Sequence, residues 1–217
     1  MYDTVIFDLD GTLLDTLEDL TDGVNHVLSE RGYRTRTIDE IRSFVGHGVA
    51  SLIRLALPEE TDDETYASAL ADFRKYYTAN CRAKTRPYDG VTELLAELKA
   101  RGIKTAIVSN KNDEAAKTLA EYYFHGLTAG AVGGRAGKPL KPAPEAVLEA
   151  MRLLDAKSGS TLYVGDSEVD KETADNAGLD CALVAWGFRG YEFIAKLGAK
   201  RVIEKPEEIL ELTVKNS

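Results

Sequence analysis

The sequence predicts an α/β fold: a Rossmann-like parallel sheet core with helices on both faces and an inserted α-helical cap. Three observations carry this expectation. Short apolar runs of strand length recur at residues 5–7, 105–108, 129–132, 162–164 and 182–185. Stretches of helical period separate the later runs, the pattern of strands joined by crossover helices. Between about residues 15 and 86 the alternation stops, and the chain reads as helix throughout.

The first run, Val5-Ile6-Phe7, ends in Asp8-Leu9-Asp10-Gly11-Thr12. Two carboxylates beside a glycine at a strand end suit a polar crevice rather than a core, although Asp-Gly is also common turn chemistry. In the inserted stretch, Thr16 and Asp19 predict a capping box. Leu17, Leu20, Val24, Val27 and Leu28 form an apolar stripe that Gly32 closes. A second stripe is Tyr66, Leu70, Phe73 and Tyr77, and Gly46, Gly48 and Pro58 break shorter helical pieces between the two. Arg86-Pro87-Tyr88-Asp89-Gly90 reads as a rigid returning turn. The expected division is an α/β core of residues 1–15 and 86–217 and a helical cap of residues 16–85, placed beside the strand-end carboxylates to act as a lid.

In the second half, Val91, Leu94, Leu95 and Leu98 fall at helical spacing before Gly102. Val147, Leu148, Met151 and Leu154 repeat the pattern, as do Val169, Thr173 and Ala177 before Gly178. Binding crevices of such sheets lie beyond the carboxyl ends of the strands. Three further polar segments fall there or at helix starts: Ser109-Asn110-Lys111, Lys141-Pro142-Ala143-Pro144-Glu145 and Gly165-Asp166-Ser167-Glu168-Val169-Asp170.

Composition narrows the classes. The chain has 217 residues, 44% hydrophobic and 29% charged, enough for one sizeable core. A net charge of -9 argues against a nucleic-acid partner. No apolar run approaches a membrane span, and a strand begins almost at the amino terminus, so neither membrane insertion nor a signal peptide is expected. Cys81 and Cys181 lack metal-knuckle spacing and read as two reduced thiols of a cytoplasmic protein. A monomer is the default expectation.

Taken in order, the four polar segments and the helical insertion after the first one resemble the haloacid dehalogenase superfamily, and within it the phosphoglycolate phosphatases. The resemblance covers nearly the whole chain. It implies an Mg2+-dependent phosphatase acting on a small phosphorylated metabolite, with 2-phosphoglycolate as the best guess. Asp8 is then the nucleophile that forms an aspartyl-phosphate, and Asp10 the general acid and base. Mg2+ is held by Asp8, the main-chain carbonyl of Asp10 and Asp166, a hard-oxygen set. Ser109 and the backbone N–H of Asn110 bind phosphoryl oxygens, Lys141 cancels their charge, Gly11 turns main-chain N–H groups toward them, and Thr12 helps to fix that turn. Asp170 orients Lys141 or a metal-bound water. Lys141 is preferred over Lys138 because Pro-Ala-Pro-Glu follows it.

The presence of Asp10 points to ester rather than carbon–halogen or carbon–phosphorus chemistry. In the cap, Gly46, His47 and Gly48 are the expected substrate loop, with Arg34, Arg42 and Arg54 as further cap cations. Trp186-Gly187-Phe188-Arg189 is expected to line or pack the entrance. A pyrophosphatase or sugar phosphomutase of the same family stays open. A phosphorylatable receiver-like switch shares the acidic cluster but lacks both the nucleophile loop and the inserted helices.

Overall fold

The structure, a computed structural model, describes residues 1–214. In chain order it places strand β1 (Thr4–Phe7), the short strand β2 (Leu14–Asp15) and four helices, α1 (Leu17–Glu30), α2 (Ile38–Phe44), α3 (Gly48–Ala56) and α4 (Asp63–Asn80). There follow β3 (Arg86–Pro87), α5 (Val91–Ala100), β4 (Lys104–Asn112), α6 (Asp113–Phe124), β5 (Ala131–Gly134), α7 (Glu145–Leu153) and β6 (Thr161–Gly165). The chain continues through α8 (Glu168–Ala177), β7 (Asp180–Val184), α9 (Tyr191–Ile194) and β8 (Arg201–Ile203).

Six strands form one parallel sheet in the order β5-β4-β1-β6-β7-β8. The chain builds outward from β1 to β5, then returns to lay β6 on the other side of β1. That reversal is a topological switch point, and it opens a crevice at the carboxyl ends of β1 and β6.

Strand side chains alternate between the two faces, and each set buries against its own helices. Val5 and Phe7 of β1 join α5 and α6 through Leu95, Leu98, Leu119 and Phe124. Ile6 joins the opposite layer with Tyr163, Leu183, Val147 and Met151. The first layer continues into the four-helix segment, where Val24, Val27, Ile53 and Phe73 belong to the same buried cluster. Gly23 permits the α1–α4 contact: a Cβ there would stand 2.9 Å from the Phe73 ring.

Some expectations need correction. Ser109, Asn110 and Lys111 belong to β4 itself, because Asn112 still pairs with Gly134 across a register shift after Val108. Leu148, placed in an apolar stripe, is 38% exposed, while its stripe-mates Val147, Met151 and Leu154 are buried. The capping box of Thr16 and Asp19 does not form. Thr16 instead donates to Asp10 Oδ1 at 2.7 Å. The buried Asp19 carboxylate accepts from Lys84 N at 3.0 Å, Thr85 N at 2.9 Å and Thr85 Oγ1 at 2.7 Å. Both side chains serve the place where the helical segment leaves and rejoins the sheet, where β2 pairs antiparallel with β3.

Candidate active site

Asp8 directly follows β1 and Asp166 directly follows β6, so the switch point sets them side by side. Asp170 reaches the same place from the first turn of α8. Single carboxylate oxygens of Asp8, Asp166 and Asp170 lie within 4.8 Å of one another, and all three residues are buried. The buried Lys141 Nζ donates to Asp8 Oδ1 and Asp170 Oδ1, each at 2.7 Å, and to Tyr163 OH at 3.1 Å.

Asp170 is spent within the protein. Its Oδ2 accepts from the Asp166 and Ser167 backbone N–H groups at 3.1 Å each and from Ser167 Oγ at 2.6 Å, closing the capping box of α8. Burial raises its proton affinity, but Lys141 and these donors hold the carboxyl below its ordinary range. Burial pushes Asp8 the other way, up to about 7, with Asp170 and Asp10 adding to the rise and Lys141 opposing it. Asp166 is also pushed well up, by burial and then by Asp170 and Asp8. Three buried carboxylates against one buried lysine leave negative charge uncompensated. Oxygen donors with excess negative charge fit a hard divalent cation, which would reverse the upward shifts. Asp8 and Asp166 are the side chains placed to hold it, since Asp170 is occupied by Lys141 and the α8 cap.

Asp10 has a set of partners of its own. Its carboxylate receives Thr16 Oγ1 at 2.7 Å, Lys111 Nζ at 3.0 Å and Ser109 Oγ at 3.4 Å. Lys111 also donates to Tyr77 OH of α4 at 3.0 Å, linking Asp10 and β4 to the helical segment. The Asn110 side chain is structural: it exchanges bonds with the Lys141 main chain at 2.7 and 3.0 Å and donates to Gly46 O at 3.0 Å.

The turn expected at Gly11 and Thr12 forms, and within it the Gly11 N–H donates to Leu14 O at 2.9 Å. What demands glycine is space and conformation: φ is +87°, and a Cβ would lie 2.4 Å from Asp166 Oδ2. Gly11→Ala is therefore expected to displace Asp166, lowering kcat/KM at least about tenfold and stability by about 1–3 kcal/mol. Steady-state kinetics and a melting curve check both. Backbone bonds from Thr12, Leu13 and Leu14 to Leu9 O close the turn, and the buried Thr12 Oγ1 has no partner among the described residues.

Above these groups lies a cavity of about 260 Å³. Gly46 and Gly48 line it, but His47 does not and is exposed, because the positive-φ glycines on either side turn it outward. Arg34, Arg42 and Arg54 are also absent from its lining and pair with Glu40, Asp39 and Asp63. Phe188 and Arg189 do line it. Trp186 instead donates to Thr12 O at 3.0 Å. Sequence reasoning gave no part in the site chemistry to Lys111, Tyr77, Tyr163 or Thr16. Only Lys111 carried a signal, as a lysine at the end of an apolar strand.

The topology and the acidic crevice define an α/β fold with a buried carboxylate cluster at the carboxyl ends of β1 and β6. Residues 5–184 match the haloacid dehalogenase-like hydrolase family, and the chain belongs to that family. It is similar to the phosphoglycolate phosphatase of Rhodobacter capsulatus, 38% identical over 195 residues and 87% of each chain. The phosphoglycolate phosphatase of Aquifex aeolicus is 34% identical over 185 residues, 85% of each chain. A crystal structure from Lactobacillus delbrueckii subsp. bulgaricus, described as a candidate phosphoglycolate phosphatase, matches with a TM-score of 0.92 at 33% identity, covering 99% of each chain. The chain is thus an enzyme of the phosphoric monoester hydrolase type. Among the described residues, no helix is long and apolar enough to cross a membrane. Cys81 and Cys181 are buried and free.

Proposed function

We propose that the protein is an Mg2+-dependent phosphatase that hydrolyses 2-phosphoglycolate through an aspartyl-phosphate on Asp8. The observation that carries this reading is the buried cluster of Asp8, Lys141 and Asp166 lining a small cavity, with Asp170 paired to Lys141 behind it. Asp8 and Asp166, with the Asp10 carbonyl, would hold Mg2+, which when bound would supply charge neutralisation of the phosphoryl group.

The protein's own groups perform the transfer. An Asp8 carboxylate oxygen bonds to phosphorus as the bond to the leaving ester oxygen breaks, and Asp10 gives that oxygen a proton. Asp10 then takes a proton from the water that attacks the aspartyl-phosphate, releasing inorganic phosphate and restoring Asp8. Lys141 offsets charge on the phosphoryl oxygens, and the Ser109 hydroxyl, turned from Asp10, donates to one of them. Thr16 and Lys111 keep Asp10 aimed, and Asp170 keeps Lys141 in place. Residues 16–85 act as a cap on a core of residues 1–15 and 86–217, excluding water from the cavity.

The substrate follows from two supports. The relatives named above are phosphoglycolate phosphatases, and the cavity, about 260 Å³, has room for a small phosphate ester. A sugar phosphomutase would have to grip a second phosphate. Of the four cations in the lining, Arg74, Lys111, Lys141 and Arg189, three already hold protein acceptors in this structure: Lys111 on Asp10, Lys141 on Asp8 and Asp170, and Arg189 on Glu168.

The test is phosphate release from 2-phosphoglycolate, pyrophosphate, a sugar 1-phosphate and a nucleoside monophosphate, each with Mg2+ and with EDTA. Phosphoglycolate is expected to lead in kcat/KM by at least about a hundredfold, a separation of ~2.7 kcal/mol in transition-state binding. EDTA is expected to abolish release, and added Mg2+ to restore it. Equal rates across the panel would remove the substrate assignment, and full activity in EDTA would remove the metal.

A further inference from the structure

We infer that Arg189 is a positioning residue that latches the helical segment onto the catalytic loops. Its guanidinium joins two parts of the molecule. On the core side, Nε and Nη2 donate to the two carboxylate oxygens of Glu168 at 2.9 and 3.0 Å. On the other side, Nη1 donates to Arg42 O at 2.9 Å and Nη2 to Val45 O at 2.7 Å. Both carbonyls lie at the carboxyl end of α2, where helical C=O groups lack partners within the helix and a cation is favoured.

The surroundings support a latch. A Cβ on Gly46 would stand 3.3 Å from Nη2, so the glycine leaves room for the guanidinium. Asn110 holds the same segment from β4, through Gly46 O. Glu168 follows Asp166-Ser167, and the N–H of Phe188, beside Arg189, donates to Asp166 Oδ2 at 2.7 Å. Seating the 42–48 segment thus also fixes the loops around Asp166. The charge partner of Arg189 lies on its own side of the cavity. Of the bonds Arg189 makes, opening breaks only the two to carbonyls, so its charge stays paired with Glu168. The contact is therefore reversible, as substrate entry requires. A lysine cannot span this fork of acceptors.

The inference rests on hydrolysis taking place in this cavity. The experiment compares wild type, Arg189→Ala and Arg189→Lys, using 2-phosphoglycolate and p-nitrophenyl phosphate with Mg2+. It also follows amide hydrogen exchange over residues 42–48. Loss of two charge-assisted bonds predicts a fall in kcat/KM of about 10- to 100-fold in both variants. Exchange over 42–48 should accelerate while the sheet strands stay unchanged. Millimolar guanidinium should recover activity of Arg189→Ala and leave wild type unaffected. Unchanged exchange over 42–48, or wild-type kinetics in Arg189→Lys, overturns the latch. Wild type that hydrolyses neither phosphate overturns the catalytic reading instead, and the exchange result then decides the latch alone.

Discussion

Asp8→Asn is expected to abolish phosphate release, by at least about four orders of magnitude in kcat, while the protein remains folded. An amide cannot attack phosphorus under these conditions. It has nearly the shape of the carboxylate, so the packing survives. It also removes one of three buried negative charges gathered within 4.8 Å. Stability in EDTA should therefore rise rather than fall. Phosphate release at saturating substrate and a melting curve on the same preparation decide the matter. Turnover within tenfold of wild type would exclude Asp8 as the nucleophile.

The same variant isolates a pH effect. In the folded, metal-free chain, burial raises the Asp8 carboxyl to about 7, against an ordinary value of 3.8. Between those values the folded state keeps a proton that the unfolded state has lost. The Asp8 contribution to stability therefore falls as pH rises from about 4 to about 7, and levels off above that. Asn has no proton to lose. In EDTA, the gap in Tm between Asp8→Asn and wild type should widen from pH 5 to pH 8, and Mg2+ added to wild type should narrow it. A gap independent of pH would mean that Asp8 is not under electrostatic strain.

The sheet was legible because its strands are buried on both faces and read as unbroken apolar runs. Residues 5–7 and 162–164 fall inside β1 and β6. Helix α6 was not anticipated, although Ala116, Leu119, Ala120 and Phe124 bury one side of it. Two alanines in that stripe weaken its apolar signal. Strand β8 was missed because Arg201-Val202-Ile203 is short and lies at a sheet edge, with only Ile203 buried.

For the site, the order of the polar segments placed Asp8, Asp166, Lys141 and Asp170 correctly at strand ends and helix starts. Their partners were invisible because they come from elements remote in sequence. Tyr163 sits inside an apolar run, and only the fold reveals that its hydroxyl lies between Lys141 and Asp170. Thr16 and Asp19 matched a capping pattern, but tertiary acceptors and donors outcompeted the helix end. His47 drew notice as a histidine between glycines, yet it is the glycines that face the cavity.

Lys141→Met should produce the second large effect, and it tests the choice between two neighbouring lysines. Methionine keeps much of the side chain's length and none of its charge. Burial alone would lower the proton affinity of Lys141, but Asp170 and Asp8 hold it well above the ordinary value. The lysine therefore stays charged throughout the working range, and its removal is a loss of charge at every such pH. Breaking a buried ion pair leaves Asp8, Asp166 and Asp170 uncompensated, at a cost of about 3–5 kcal/mol near pH 8. Near pH 5 the strained carboxylates take up protons instead, so the loss of stability should shrink. Mg2+ should restore part of the stability by supplying charge beside Asp8 and Asp166. It cannot restore catalysis, because the phosphoryl oxygens still lack their second cation; a fall of about 10³-fold or more in kcat should persist at saturating metal. Lys138, exposed three residues earlier, is the internal control, and Lys138→Met should stay near wild type in both Tm and kcat. If Lys141→Met turns over within tenfold of wild type, or if Lys138→Met is the inactive one, the phosphoryl-facing lysine has been misassigned.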